Sequence, residues 1–116
     1  MPKLYVSKII DSLKHLADEQ FQRKAWLSTG AYPVSSFSED ICQLFDDTGL
    51  SDLLEKGLAE RYLGLGVTAQ ILKLDSAIDQ VDDSLSPQEI LELPEMEEVR
   101  KQAAVVLDAM AKANLS

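Results

Sequence analysis

The chain has one cysteine, Cys42, and one histidine, His15, among its 116 residues. A lone cysteine excludes an internal disulfide, and a small secreted domain generally carries several, so the expected compartment is the reducing cytoplasm. A lone histidine excludes the paired-ligand spacings of a structural zinc site, which Cys42 and scattered carboxylates would have to complete. Long apolar runs are missing too: nothing approaches the roughly 20 consecutive residues of a membrane span. Residues 1–16 include Lys3, Lys8, Asp11 and Lys14, too polar for the core of a signal peptide. The expectation is an unexported protein with no metal, no cofactor, no small-molecule ligand and no place in a membrane.

Basic charge is absent where acid is densest. Between Lys73 and Arg100 there is no lysine or arginine, while nine carboxylates fall in that interval, Asp75, Asp79, Asp82 and Asp83 first among them. Like charges repel in a compact state and add nothing to stability, so such a run is either a solvated helix surface or a match for a basic partner. The net charge of −9 is also uneven: residues 1–30 hold five basic and three acidic side chains, residues 31–116 six basic and seventeen acidic. An acidic body argues against direct nucleic-acid contact, which needs a basic patch to displace counterions, and against anionic membranes for the same reason.

With 46% hydrophobic and 27% charged residues the composition is that of a globular protein. A chain of this length buries about two-thirds of its unfolded surface, enough for one core, so residues 1–116 are expected to form a single helical domain. Apolar residues recur at helical spacing and almost nowhere alternate. Leu4, Val6, Ile9, Ile10, Leu13 and Leu16 mark a first helix; Phe21, Ala25 and Trp26 mark a second, or the far half of one bent helix. Residues 28–34 read as a loop around Gly30 and Pro33. Ser36-Phe37-Ser38-Glu39 has the capping-box pattern of a helix start, with Ile41, Leu44 and Phe45 on its buried side and Gly49 at its end. Ser51 reads as the cap of a helix burying Leu53, Leu54, Leu58 and Tyr62 and ending at Gly64 and Gly66.

Val67, Ile71, Leu74, Ile78, Val81 and Leu85 are spaced three and four apart, which predicts one helix through Leu85 with Asp75, Asp79, Asp82 and Asp83 turned outward. Ser86 and Pro87 start a short helix. Met96, Val99, Ala103, Val106, Met110 and Ala113 form the seam of a last helix lying antiparallel to the Val67–Leu85 helix. The fold class is therefore all-α, a small bundle of five or six helices with a C-terminal antiparallel pair.

Catalytic and ligand-binding motifs fail on inspection. Cys42, between Ile41 and Leu44, reads as a small inward-facing hydrophobe rather than a nucleophile. Residues 75–86 mimic a calcium loop at three places, but Gln80 stands where the turn needs glycine and Ser86 where a bidentate glutamate belongs. Asp11-Ser12-Leu13 and Asp83-Ser84-Leu85 match the modified tripeptide of acyl carrier proteins, yet that serine opens a helix, whereas Ser12 and Ser84 are expected inside and at the tail of one. Gly64-Leu65-Gly66 lacks the third glycine of a dinucleotide site. Exposed carboxylates on helix faces lack the contrast of environments that acid–base catalysis needs. No enzyme activity is expected.

One stretch is familiar. Phe21-Gln22-Arg23-Lys24-Ala25-Trp26-Leu27, the loop ending Val34-Ser35-Ser36-Phe37, and Glu39-Asp40-Ile41-Cys42-Gln43-Leu44-Phe45-Asp46-Asp47 resemble the immunity proteins of bacterial contact-dependent growth inhibition. The resemblance covers about 30 of the 116 residues. It implies a cytoplasmic, non-catalytic protein that binds the C-terminal toxin domain of a cognate effector, often a basic nuclease acting on transfer RNA, and covers its active site or substrate groove.

An acidic surface suits a nuclease groove lined for phosphates. The expected toxin-binding residues are Asp46, Asp47, Asp75, Asp79, Asp82 and Asp83. Asp46 and Asp47 stand at a helix C-terminus, where the dipole disfavours negative charge, so an external cation or an internal partner such as Lys56 or Arg61 is expected beside them. Trp26, Phe37 and Phe45 are core residues first. The alternatives are an acidic adaptor or regulatory domain whose apolar groove takes a partner helix, and a carrier domain modified on serine.

Overall fold

The computed structural model describes residues 6–27 and 35–115. They form an all-α structure of eight α-helices, more segments than the apolar periodicity alone suggests, because short polar side chains and glycines break stripes that periodicity would join.

Helix α1 (Val6–Ala17) and α2 (Glu19–Trp26) are separate helices with Asp18 between them. The Asp18 carboxylate accepts the Phe21 amide at 3.0 Å, and a capping side chain of this kind lets a new helix start after one residue. The expected loop at residues 28–34 lies outside the described residues. Helix α3 (Phe37–Cys42) starts as its sequence pattern predicts, the Ser36 hydroxyl accepting the Glu39 amide. It then widens into one π-helical turn, Gln43–Asp47. Thr48 closes that turn: its hydroxyl donates to the Leu44 carbonyl and accepts the Leu50 amide.

Gly49, at φ 84°, takes the left-handed conformation that redirects the chain into α4 (Leu50–Glu55), which begins one residue before the expected Ser51 cap. Gly57, at φ 69°, ends α4 and separates it from α5 (Ala59–Leu63). The single helix expected here is therefore two. Leu50, Leu53, Ala59 and Leu63 are buried, while Leu54, Leu58 and Tyr62 are only half-buried. Gly66 lies within α6 (Leu65–Asp79) rather than ending a helix.

The expected continuation of α6 to Leu85 does not occur. The chain turns after Asp79, and the Asp82 carboxylate accepts both the backbone amide of Ser84 at 3.0 Å and its hydroxyl at 2.6 Å. Such local hydrogen bonds compete with helix continuation. Val81 still reaches the core from the turn, but Asp82 and Asp83 sit on a loop and not on a helix face. Ser86 and Glu89 then form a complete capping box for α7 (Pro87–Glu92), and Pro94 opens α8 (Pro94–Lys112).

The core lies where α8 packs on α6 and α1, the two most extensive helix pairs. Met96, Val99, Ala103, Val106 and Met110 are buried along α8 as their spacing predicts, against Ile71 and Leu74 of α6 and Ile9, Leu13 and Leu16 of α1; Ala113 falls past the helix end and is exposed. The Gln102 side chain donates to the Gln70 carbonyl at 2.9 Å and ties α8 to α6.

Two buried polar contacts fasten the remaining helices. Arg100, 6% exposed, donates Nε to the Gln22 side-chain oxygen at 2.8 Å and a terminal nitrogen to the Leu91 carbonyl at 2.9 Å. The Trp26 indole donates to the Asp40 carboxylate at 2.9 Å, joining α2 to α3, with Phe37 edge-on to Trp26 at 6.0 Å. Among the described residues no helix is long and apolar enough to cross a membrane.

Candidate functional site

The face of α3 that turns away from the core meets the C-terminal end of α6, and two adjoining depressions open between them. The first, about 420 Å³, lies between Phe37 and Ile41 on one side and Ile78 and Val81 on the other. The second, about 480 Å³, lies between Ile41 and Phe45 and the half-buried Leu54 of α4. Both are lined by Ile41 and Cys42, so they form one groove with Cys42 at its waist. Its floor is apolar because α3 and the π turn that continues it carry two stripes: Phe37, Asp40 and Leu44 are buried, while Ile41 and Phe45, four apart, are left half-buried beside them.

Carboxylates stand along this floor. Asp79 and Asp83 line the first depression, and Asp46, Glu55 and Asp75 line the second. No described lysine or arginine lines either. Four of the six aspartates singled out by sequence are thus brought to one groove although they come from the π turn, α6 and the loop after it.

The other two are elsewhere. Asp47, next to Asp46 in the π turn, lines neither depression of the groove; it is exposed in a depression also lined by Lys8 and His15 of α1 and in another also lined by Cys42. Asp82 is exposed and committed to its turn, and the hydrogen bonds from Ser84 hold its carboxyl below the usual aspartate value. The internal partners expected for Asp46 and Asp47 do not engage them. Lys56 pairs with Asp52 at 3.1 Å, and Arg61 makes no ion pair with a described residue.

Asp75 is the most constrained carboxylate of the groove. It is half-buried, and its pKa is raised first by burial and then by the neighbouring charge of Asp79. A cation placed between the two would oppose both effects by its own charge.

Cys42 is exposed, against the inward position its neighbours suggest. The buried residues of α3 are Phe37 and Asp40, and Leu44 follows in the π turn, which leaves position 42 on the outer side. Asp40 occupies the inward place because Trp26 supplies a donor for its carboxylate. Cys42 and His15 do not share a depression: His15 stacks on Phe21 with ring centroids 4.0 Å apart, away from the groove. Among the described residues no three His, Cys, Asp or Glu side chains are grouped to hold a metal ion.

The candidate serines of a carrier domain are placed differently from each other. Ser12 is buried within α1; Ser84 is in the exposed turn before α7, rather than at a helix tail, with its hydroxyl donated to Asp82. Glu55 is the rim residue that sequence reasoning missed. Its only signal is its position one turn after Ser51 on the face of α4 that also presents Leu54.

Compared with known proteins, the chain matches no family model, no curated protein and no solved structure. The groove and its charges are what a functional reading rests on.

Proposed function

We propose that this chain is an immunity protein of the contact-dependent growth inhibition type, which binds the toxin domain of a cognate effector and neutralises it without catalysis. The target is a basic nuclease, and binding takes place in the cytoplasm. The observation that carries the reading is the groove: carboxylates from four separate segments converge on an apolar floor from which described basic residues are absent. Charge at a rim accelerates encounter and selects a cationic partner, while the apolar centre supplies the desolvated contact that holds it.

The adaptor reading shares the apolar floor and differs in the role of charge. An adaptor whose affinity comes from apolar contact binds with little dependence on ionic strength, whereas an inhibitor steered by carboxylates binds faster as salt falls.

The test is co-expression with the toxin domain of the cognate effector, whose gene is expected beside this one. The expected result is restored growth, together with nuclease activity titrated to zero near one molar equivalent of this protein. Growth arrest and undiminished nuclease activity at excess protein would reject the proposal.

A further inference from the structure

We infer that the groove seats an amphipathic helix with a basic edge, presented by the protein partner, its apolar face on Ile41, Phe45 and Leu54 and its lysines or arginines on Asp46, Asp75 and Asp79. This rests on the proposed inhibition of a basic toxin and adds the form in which the toxin is gripped.

The ways a protein groove takes a segment of another chain are few, and the surface selects among them. Addition of a strand needs an exposed sheet edge, and the described residues contain no strand. A polyproline segment needs a groove faced with aromatic rings. Here Trp26 lines neither depression and Phe37, on the wall of the first, is only 6% exposed, so Phe45 is the one ring that the groove presents openly. Recognition of a phosphorylated or acidic segment needs clustered arginines, the opposite of this rim.

Insertion of a helix needs an apolar floor bounded by other helices, with charge along its edges. That is the arrangement present. Phe37, Ile41 and Phe45 follow one another four apart along one wall, a span of about 12 Å at the rise of a helix, or about two turns of a bound helix. An incoming helix would set apolar residues at i, i+4 and i+7 into this length.

Charge then fixes the edges of the occupant. Asp79 and Asp83 bound one end and Asp46, Glu55 and Asp75 the other, so an acidic helix would meet like charges throughout, while lysine or arginine would make charge-assisted hydrogen bonds. Asp75 and Asp79 gain most, because the charge of a cation beside them offsets the repulsion and the burial that Asp75 bears in the free protein.

Cys42 supplies the readout, being the sole cysteine and exposed at the waist of the groove. The probe is a synthetic helical peptide of about 14 residues, a length near the threshold for helicity in water, with leucine at i, i+3, i+4 and i+7 and lysine elsewhere. Its control has the same composition in an order that forms no apolar face. Maleimide labelling of Cys42 in the full chain should slow about tenfold when the amphipathic peptide is present at about ten times its dissociation constant. The control should leave the rate unchanged. The exposed-site variant Asp46→Lys/Asp79→Lys should lose the protection while keeping the fold, as read by circular dichroism. Equal protection by both peptides, or by neither, overturns the inference.

The toxin distinguishes the two levels. Neutralised toxin with Cys42 labelled at its free rate in the complex rejects the groove and keeps the inhibitor. A Cys42 protected by the peptide in a protein that leaves the toxin active rejects the inhibitor and keeps the groove.

Discussion

Gln22→Leu should be among the most damaging single substitutions in the interior, although leucine fills a similar volume. Gln22 is fully buried; its amide nitrogen donates to the carbonyls of His15 at 3.0 Å and Leu16 at 2.8 Å, and its oxygen accepts Arg100 Nε at 2.8 Å. His15 keeps a second donor in the Asp18 amide, so the groups left in want of a partner are the Leu16 carbonyl and the arginine nitrogen. Each buried group of this kind costs about 1–3 kcal/mol, more at the charged one, and the apolar gain of leucine offsets about 1–2 kcal/mol. The net loss is about 3 kcal/mol, a large part of the 5–15 kcal/mol typical of a domain.

Urea unfolding followed by circular dichroism measures it, with a midpoint lowered by about 1–3 M at the slopes usual for small proteins. Arg100→Met alone strands the Gln22 oxygen and the Leu91 carbonyl, and should cost about 2–3 kcal/mol. The double variant should be less damaged than the sum by at least about 1 kcal/mol, because neither partner is then left alone. A loss below about 1 kcal/mol for Gln22→Leu, or strict additivity in the double variant, would refute the view that this pair fastens α2 to α8.

Asp40→Asn should stabilise the protein at neutral pH. Burial raises the Asp40 pKa above 3.8 despite the Trp26 hydrogen bond, so ionisation opposes folding. Native stability relative to the variant should therefore increase as pH falls through the folded pKa to about 3.8, and stay level below; a variant less stable than the native chain at pH 7 in thermal melts would contradict this. Gly57→Ala meets no atom within 4 Å, yet φ of +69° makes the left-handed backbone itself cost about 1 kcal/mol, or a few degrees of melting temperature. An unchanged melting point would show that the turn relaxes.

The local signals in the chain survive folding well. Ser36, Ser86 and Pro87 start helices as read, since a cap depends on residues three apart, and the stripe from Met96 to Met110 is buried as read, since its spacing is the period of the helix. Where apolar spacing continues across a competing local hydrogen bond the reading fails: Val81 and Leu85 keep the period of α6, but Asp82 and Ser84 turn the chain. Gly57 divides α4 from α5 in the same way.

The groove was half legible. Asp46, Asp75, Asp79 and Asp83 stand out as unbalanced charge, but their convergence depends on how α3 sits against α6. Cys42 faces outward, against expectation, while Asp40 is buried because a tryptophan fourteen residues earlier supplies a hydrogen bond for its carboxylate. Asp46 and Asp47, neighbours read as one unit, part company in a π turn that no local spacing announces.

The most direct measurement is stopped-flow association of this protein with the toxin domain of its proposed cognate effector across ionic strength, for the native chain and for Asp46→Asn/Asp75→Asn/Asp79→Asn/Asp83→Asn. The native association rate should rise steeply as salt is lowered, by about tenfold or more, and the variant should be slower and nearly flat. Equal rates for the two proteins, indifferent to salt, would contradict the account.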